Sequence, residues 1–131
     1  MKTILIQLLV FSSFIGVAQT QKLTIYFNNL TTNEGKIMIL IQDKNEKDVS
    51  KLVLFVSNKS SKASVYLPAG SYGVIAFHDI NGNEKLDTNM IGIPTEPYGF
   101  SNNARGLLSK PDHEETLVTL NRELSITFDL K

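Results

Sequence analysis

The chain has 131 residues, 13 Lys+Arg balanced by 13 Asp+Glu for a formal net charge of zero, and no cysteine. A chain this short has room for one core, and without a cationic excess it lacks the electrostatic term that dominates nucleic-acid affinity, so DNA and RNA are not expected partners. The absence of cysteine removes disulfide staples and any lipid anchor on an N-terminal cysteine, so the core must be sufficient alone.

Residues 1–18 read as a secretory signal peptide. Lys2 gives a positive start, the stretch from Ile4 to Val17 is apolar with breaks at Gln7, Ser12 and Ser13, and Gly16-Val17-Ala18 offers small residues for cleavage. The alternative for this stretch is a buried N-terminal strand. It is too short and too interrupted for a bilayer span of roughly 20 apolar residues, and no later segment resembles one. The expected product is a secreted or periplasmic single domain, 19–131, with a net charge of −1 because Lys2 is the only charge lost.

Strands follow from period-two alternation. Leu23, Ile25 and Phe27 alternate with Thr24, Tyr26 and Asn28, which predicts a first strand at 22–28. Asn33-Glu34-Gly35 is turn chemistry, and the unbroken apolar, β-branched run 36–41 predicts a central strand. The polar segment 42–50 predicts a loop or a short helical turn, with a helical alternative over 43–54. A short third strand is expected at 53–56, and after the polar turn 58–62 a fourth at 63–67. In Leu67-Pro68-Ala69-Gly70-Ser71-Tyr72 proline fixes φ and glycine is expected to take positive φ, closing a hairpin. Residues 72–78 are apolar on both faces and predict a central strand, with Tyr72, Val74 and Ala76 on one side and Ile75 and Phe77 on the other. Residues 79–110 show no sustained period and are dense in Gly, Pro and Asn, which marks a functional or disordered loop; Tyr98 and Phe100 favour order. The segments 115–120 and 123–130 alternate around Asn121-Arg122 and are expected to pair as a terminal hairpin. Seven short strands without a strong helix predict an all-β, antiparallel Greek-key β-sandwich.

The chemistry concentrates in the long loop. Asp79, Asn81 and Asn83 place side-chain oxygens at every second residue, and Asp87 follows four later. Calcium takes six to eight hard oxygen ligands, and a curled loop of alternating Asp and Asn can aim several at one centre. The expected ligands are the side chains of Asp79, Asn81, Asn83 and Asp87 with the Lys85 carbonyl, and Glu84 or Glu96 as a further carboxylate. The competing reading is an Asx-rich turn whose side chains bond their own backbone.

Three motifs in order carry a family resemblance: Leu67-Pro68-Ala69-Gly70-Ser71-Tyr72, then His78-Asp79-Ile80-Asn81-Gly82-Asn83, then Gly92 through Asn103 with Pro94, Glu96 and Tyr98-Gly99-Phe100-Ser101-Asn102-Asn103. Together they resemble the DUF2141 family, exported bacterial domains of unknown function. Two positions depart from that pattern. The family usually carries glycine where this chain has Glu84, the residue type that eases a sharp turn in calcium loops, and its downstream Pro-x-Phe element is here Pro111-Asp112-His113. The first motif also resembles the transthyretin-like sandwich of carboxypeptidase regulatory and bacterial surface-adhesin domains, some of which carry calcium loops. That resemblance implies a fold and leaves function open.

Two further sites need weighing. His78 beside Asp79, with Ser101 downstream, sketches a hydrolytic triad, but consecutive strand residues point to opposite faces and no nucleophile elbow accompanies them. His78 capping the strand on a loop carbonyl is the plainer reading. Glu96, Tyr98, Phe100, Ser101, Asn102, Asn103 and Arg105 form a candidate recognition surface for an unknown protein, peptide or glycan, with aromatics for stacking and amides for hydrogen bonds. The same aromatics would serve equally to plug the end of the sandwich. The leading expectation is a non-enzymatic exported β-sandwich whose loop is ordered by calcium and presents a binding surface. A metal-free structural or adhesive accessory domain is the second reading, and a hydrolase using His78 the third.

Overall fold

A computed structural model describes residues 16, 19–107 and 109–131; the predicted signal peptide lies almost wholly outside the described residues. The described residues form eight strands in two facing sheets: β1 (Thr20–Phe27), β2 (Lys36–Asp43), β3 (Asp48–Phe55), β4 (Ser61–Pro68), β5 (Gly70–Asp79), β6 (Tyr98–Phe100), β7 (Leu117–Leu120) and β8 (Leu124–Phe128). One sheet runs β4-β1-β8; the other runs β3-β2-β5-β6, with β7 beside β6 on the same edge of β5. The all-β sandwich expected from the alternation is the fold.

The core lies where the inward rows of the sheets meet. Leu23, Ile25 and Phe27 of β1 and Ile37 and Ile41 of β2 are fully buried, with Val74, Ala76 and Leu120 also at zero exposure. Alternation does this directly: residues i, i+2 and i+4 of a strand share a face, so each apolar row closes on its counterpart ten ångströms or so away. Phe27 and Phe128 are register partners across β1 and β8, their rings 5.1 Å apart and tilted by 32°.

Five expectations are corrected. The loop expected over 42–50 narrows to a tight turn at 44–47, and the helical alternative over 43–54 gives way to β3, which spans Asp48–Phe55 and is longer than 53–56. Asp43 holds that turn: its Oδ1 accepts the N–H groups of Lys47 and Asn45 at 3.0 and 2.8 Å, bonds that keep its carboxyl below the usual carboxylate range. The Pro68-Ala69-Gly70 corner is not a hairpin, because β4 and β5 belong to different sheets, and Gly70 is not among the positive-φ residues. The Tyr72 hydroxyl closes the corner instead, donating to the Pro68 carbonyl at 2.6 Å, the geometry of a tyrosine corner. The last two strands are not a hairpin either. β7 pairs with β5 and β8 with β1, and the chain steps between sheets at 121–123. That step makes β8 parallel to β1, so the sandwich is not wholly antiparallel. Finally, the long loop contains a strand, β6, against β5.

Candidate functional site

β5 delivers two buried polar residues to its end, on opposite faces. His78 is the register partner of Ile37 and faces the core; Asp79 is the partner of Lys36 and faces outward, under the loop that follows. The His78 Nε2–H donates to the Glu34 carbonyl at 2.7 Å, and Nδ1 is buried without a hydrogen-bond partner. The Ser101 hydroxyl is likewise engaged with backbone, accepting from the Val74 N–H at 2.9 Å and donating to the Thr116 carbonyl.

Asp79 is fully buried. Its Oδ2 accepts the Glu84 N–H at 2.8 Å, while Oδ1 has no hydrogen-bond partner. Above it the loop curls through successive Asx turns, Asn81 Oδ1 accepting the Asn83 N–H and Asn83 Oδ1 accepting the Lys85 N–H at 3.0 Å. Both amide groups also reach one carboxylate: Asn81 Nδ2 donates to Asp87 Oδ2, and Asn83 Nδ2 donates to Asp87 Oδ1 at 2.7 Å. Asp79, Asn81, Asn83 and Asp87 therefore belong to one small loop, and the Lys85 backbone lies within it. Glu96 clasps the loop from beneath. Buried at 8 % exposure, it accepts the Ile80 N–H on Oε1 and the Asp87 N–H on Oε2, tying the loop's two ends together. Among the described residues no cluster of three or more His, Cys, Asp or Glu side chains forms a metal centre by itself, so the donor set here depends on amides and a carbonyl. None of Asp79, Asp87 and Glu96 forms an ion pair among the described residues.

Glu84, where the resembling family has glycine, sits at φ 63°, in the left-handed region. A side chain there costs roughly 1–2 kcal/mol, against the ~0.5–1 kcal/mol of unfolded-state entropy that glycine adds. Glu84→Gly is accordingly expected to hold or raise stability, by up to ~1 kcal/mol, whereas Glu84→Val should lose about that much or more. Urea melts of the two variants check the loop geometry, and a loss in Glu84→Gly contradicts it.

The predicted recognition segment ties elements together. Asn102 Nδ2 donates to the carbonyls of Glu115 and Leu117, Asn103 Oδ1 accepts the Asp129 N–H, and Arg105 donates to the carbonyls of Tyr98 and Asp129 while stacking 4.9 Å over the Tyr98 ring. Phe100 and Ser101 are buried at 8 % and 2 % exposure. What the sequence reading missed stands next to this segment. A turn bridged at Thr88 and Pro94 is held by Asn89, whose Oδ1 accepts the N–H groups of Ile91 and Ile93 and whose own N–H donates to the Ile93 carbonyl at 2.8 Å. This ordered turn holds Met90 and Ile91 out in water at 104 % and 80 % exposure, near Ile93 and the equally exposed Leu107. Asn89 with Gly92 three residues later was the available turn signal.

Comparison with curated proteins and with solved structures finds no match. No helix among the described residues is long and apolar enough to cross a membrane. A family model described as "Uncharacterized protein conserved in bacteria (DUF2141)" matches residues 25–127, which takes in both sheets and the whole of the Asp79 loop, and the chain belongs to the DUF2141 family.

Proposed function

We propose that this chain is an exported, non-enzymatic β-sandwich whose loop 79–106 is ordered by a calcium ion and presents a binding surface. The observation that carries the cation is Asp79 Oδ1, a fully buried carboxylate oxygen without a donor at the base of the loop. Burying such an oxygen is costly unless a hydrogen bond or a metal satisfies it. The donor chemistry fits a hard cation: carboxylates from Asp79 and Asp87, amide oxygens from Asn81 and Asn83, and the Lys85 carbonyl. Each amide oxygen has two lone pairs, one taken by an Asx-turn N–H, so Asn81 and Asn83 can offer the other to a cation while the turns stay closed. Glu96 keeps both ends of the loop in place from below.

Export rests on residues 1–18, whose Lys2, apolar run and Gly16-Val17-Ala18 have the order of a signal peptide, with a secreted or periplasmic destination. The non-enzymatic reading rests on the engagement of His78 Nε2 and the Ser101 hydroxyl with backbone, which takes these two groups of the sketched triad out of use. The polar side chains of Glu96, Asn102, Asn103 and Arg105 are bonded to backbone, and the large apolar side chains exposed beside them are Met90, Ile91, Ile93 and Leu107. The second reading, a metal-free structural or adhesive domain, draws on the amide bonds from Asn81 and Asn83 to Asp87, which already close the loop.

The test is stability linkage. A weak extracellular-type site with a dissociation constant of ~0.1–1 mM adds ~0.4–1.4 kcal/mol at about 1 mM calcium, a rise of a few degrees in melting temperature. Calcium should also slow proteolysis within 79–106. Asp79→Ala should remove both effects, and melting curves superimposed with and without calcium would favour the metal-free domain.

A further inference from the structure

Between the Asn89 turn and the segment after Arg105 lies an open cleft of about 460 Å³, within the range of small-molecule sites. Its walls are Leu86, Ile93, Pro94, Tyr98, Phe100 and Leu107, and among the described residues Lys110 is the one charged residue on its lining. Tyr98 and Phe100 pair with Phe77 and Ile75 on the outward face of β5, so this cleft is separate from the buried core, whose β5 row is Tyr72, Val74 and Ala76. The site is held in shape by bonds already described: Asn89 fixes the turn that carries Ile93, and Arg105 locks Tyr98 by stacking on its ring and bonding its carbonyl. Two of the walls, Ile93 and Leu107, stand 55 % and 97 % exposed, apolar surface that an apolar occupant would cover.

We infer that this cleft binds a small amphiphilic monoanion, an apolar chain or ring ending in a carboxylate or sulfonate, with its apolar body on Tyr98, Phe100, Ile93 and Leu107 and its anionic group at Lys110. Charge selects the class. Among the described residues the lining offers one ammonium and no carboxylate, and Lys110 forms no ion pair there. An apolar wall beside an unpaired cation favours an anion and disfavours both a neutral and a cationic head group. The inference rests on the reading of the loop as a binding surface and does not depend on the calcium ion.

The experiment is displacement of the anionic dye 1-anilinonaphthalene-8-sulfonate from the purified protein by decanoate, decanol and decyltrimethylammonium, in EDTA and again in calcium. Saturable dye binding is expected, with decanoate displacing it about tenfold more effectively than decyltrimethylammonium, the scale of one charge-assisted hydrogen bond. Lys110→Met should weaken decanoate by a similar factor and leave decanol unchanged, Lys110→Arg should restore decanoate, and Leu107→Asp, at a solvent-exposed position, should abolish dye binding without unfolding the domain. Dye binding is expected in EDTA as in calcium, and binding seen only in calcium overturns the inference as stated. Equal displacement by all three head groups, an unchanged Lys110→Met, or no saturable dye binding in either buffer overturns the inference. None of these touches the calcium-dependent melting shift, so failure here and failure of the metal are separable. A concentration-dependent dimer in sedimentation, lost in Leu107→Asp, would seat a second copy in the cleft and likewise overturn the small-anion assignment.

Discussion

Gly35→Ala is expected to lower the unfolding free energy by on the order of 3 kcal/mol, out of proportion to the single methyl group it adds. Gly35 has φ +73°, and a Cβ built there would lie 2.0 Å from the Asp79 carbonyl oxygen and 2.7 Å from the Ile80 Cα. Both atoms are backbone, so neither can swing aside. The left-handed backbone costs an L-residue roughly 1–2 kcal/mol, and forcing the overlap apart adds ~1–3 kcal/mol more. The displaced atoms belong to the first residues of the Asp79 loop, so the variant should also lose the protection of that loop against proteolysis. Urea melts and limited digestion read the two effects separately. A neutral Gly35→Ala would mean that the β1–β2 connection does not pass over the end of β5.

Phe27→Ala carries a comparable effect for a different reason. Phe27 is fully buried and packs on Phe128 across the parallel β1–β8 pair. Truncating such a ring leaves a cavity and costs ~3–5 kcal/mol, a large share of the ~5–15 kcal/mol that a domain of this size possesses. Phe55 is the internal control. It is 80 % exposed on the edge strand β3, and Phe55→Ala should change stability by no more than ~0.5 kcal/mol. Equal losses at the two positions in denaturant melts would contradict the assignment of the core.

The contrast between Phe27 and Phe55 also shows what the sequence could convey. Alternation placed Leu23, Ile25 and Phe27 inside and located the strands around them, because period two follows from the pleat itself. It could not say which sheet a strand joins. A hairpin and a step between sheets have the same inward and outward pattern, and the corners at Ala69 and Asn121 were both misread on that account. The first half of β3 was missed because Asp48, Ser50 and Lys51 leave the exposed Val49 as its one apolar residue, so no alternating row marks the strand before Leu52.

The Asp79 loop was legible because Asx chemistry is local. Spacing alone places Asp79, Asn81, Asn83 and Asp87 in one curl, and the glycine missing at position 84 shows up as a strained φ. Glu96 as a clasp on Ile80 and Asp87 was not legible, since the contact closes across a turn whose path no local period describes. The same holds for the cleft, which requires residues 86 and 110 to meet over β6.

A calcium titration of residues 19–131, followed by heat and paired with the same titration of Asp79→Ala, tests the central claim most directly. One site with a dissociation constant of ~0.1–1 mM is expected in the parent, tighter binding in Glu84→Gly, and none in Asp79→Ala. A flat titration of the parent up to ~10 mM calcium, well above that range, would contradict the claim and leave the Asp79 loop as a turn closed by its own side chains.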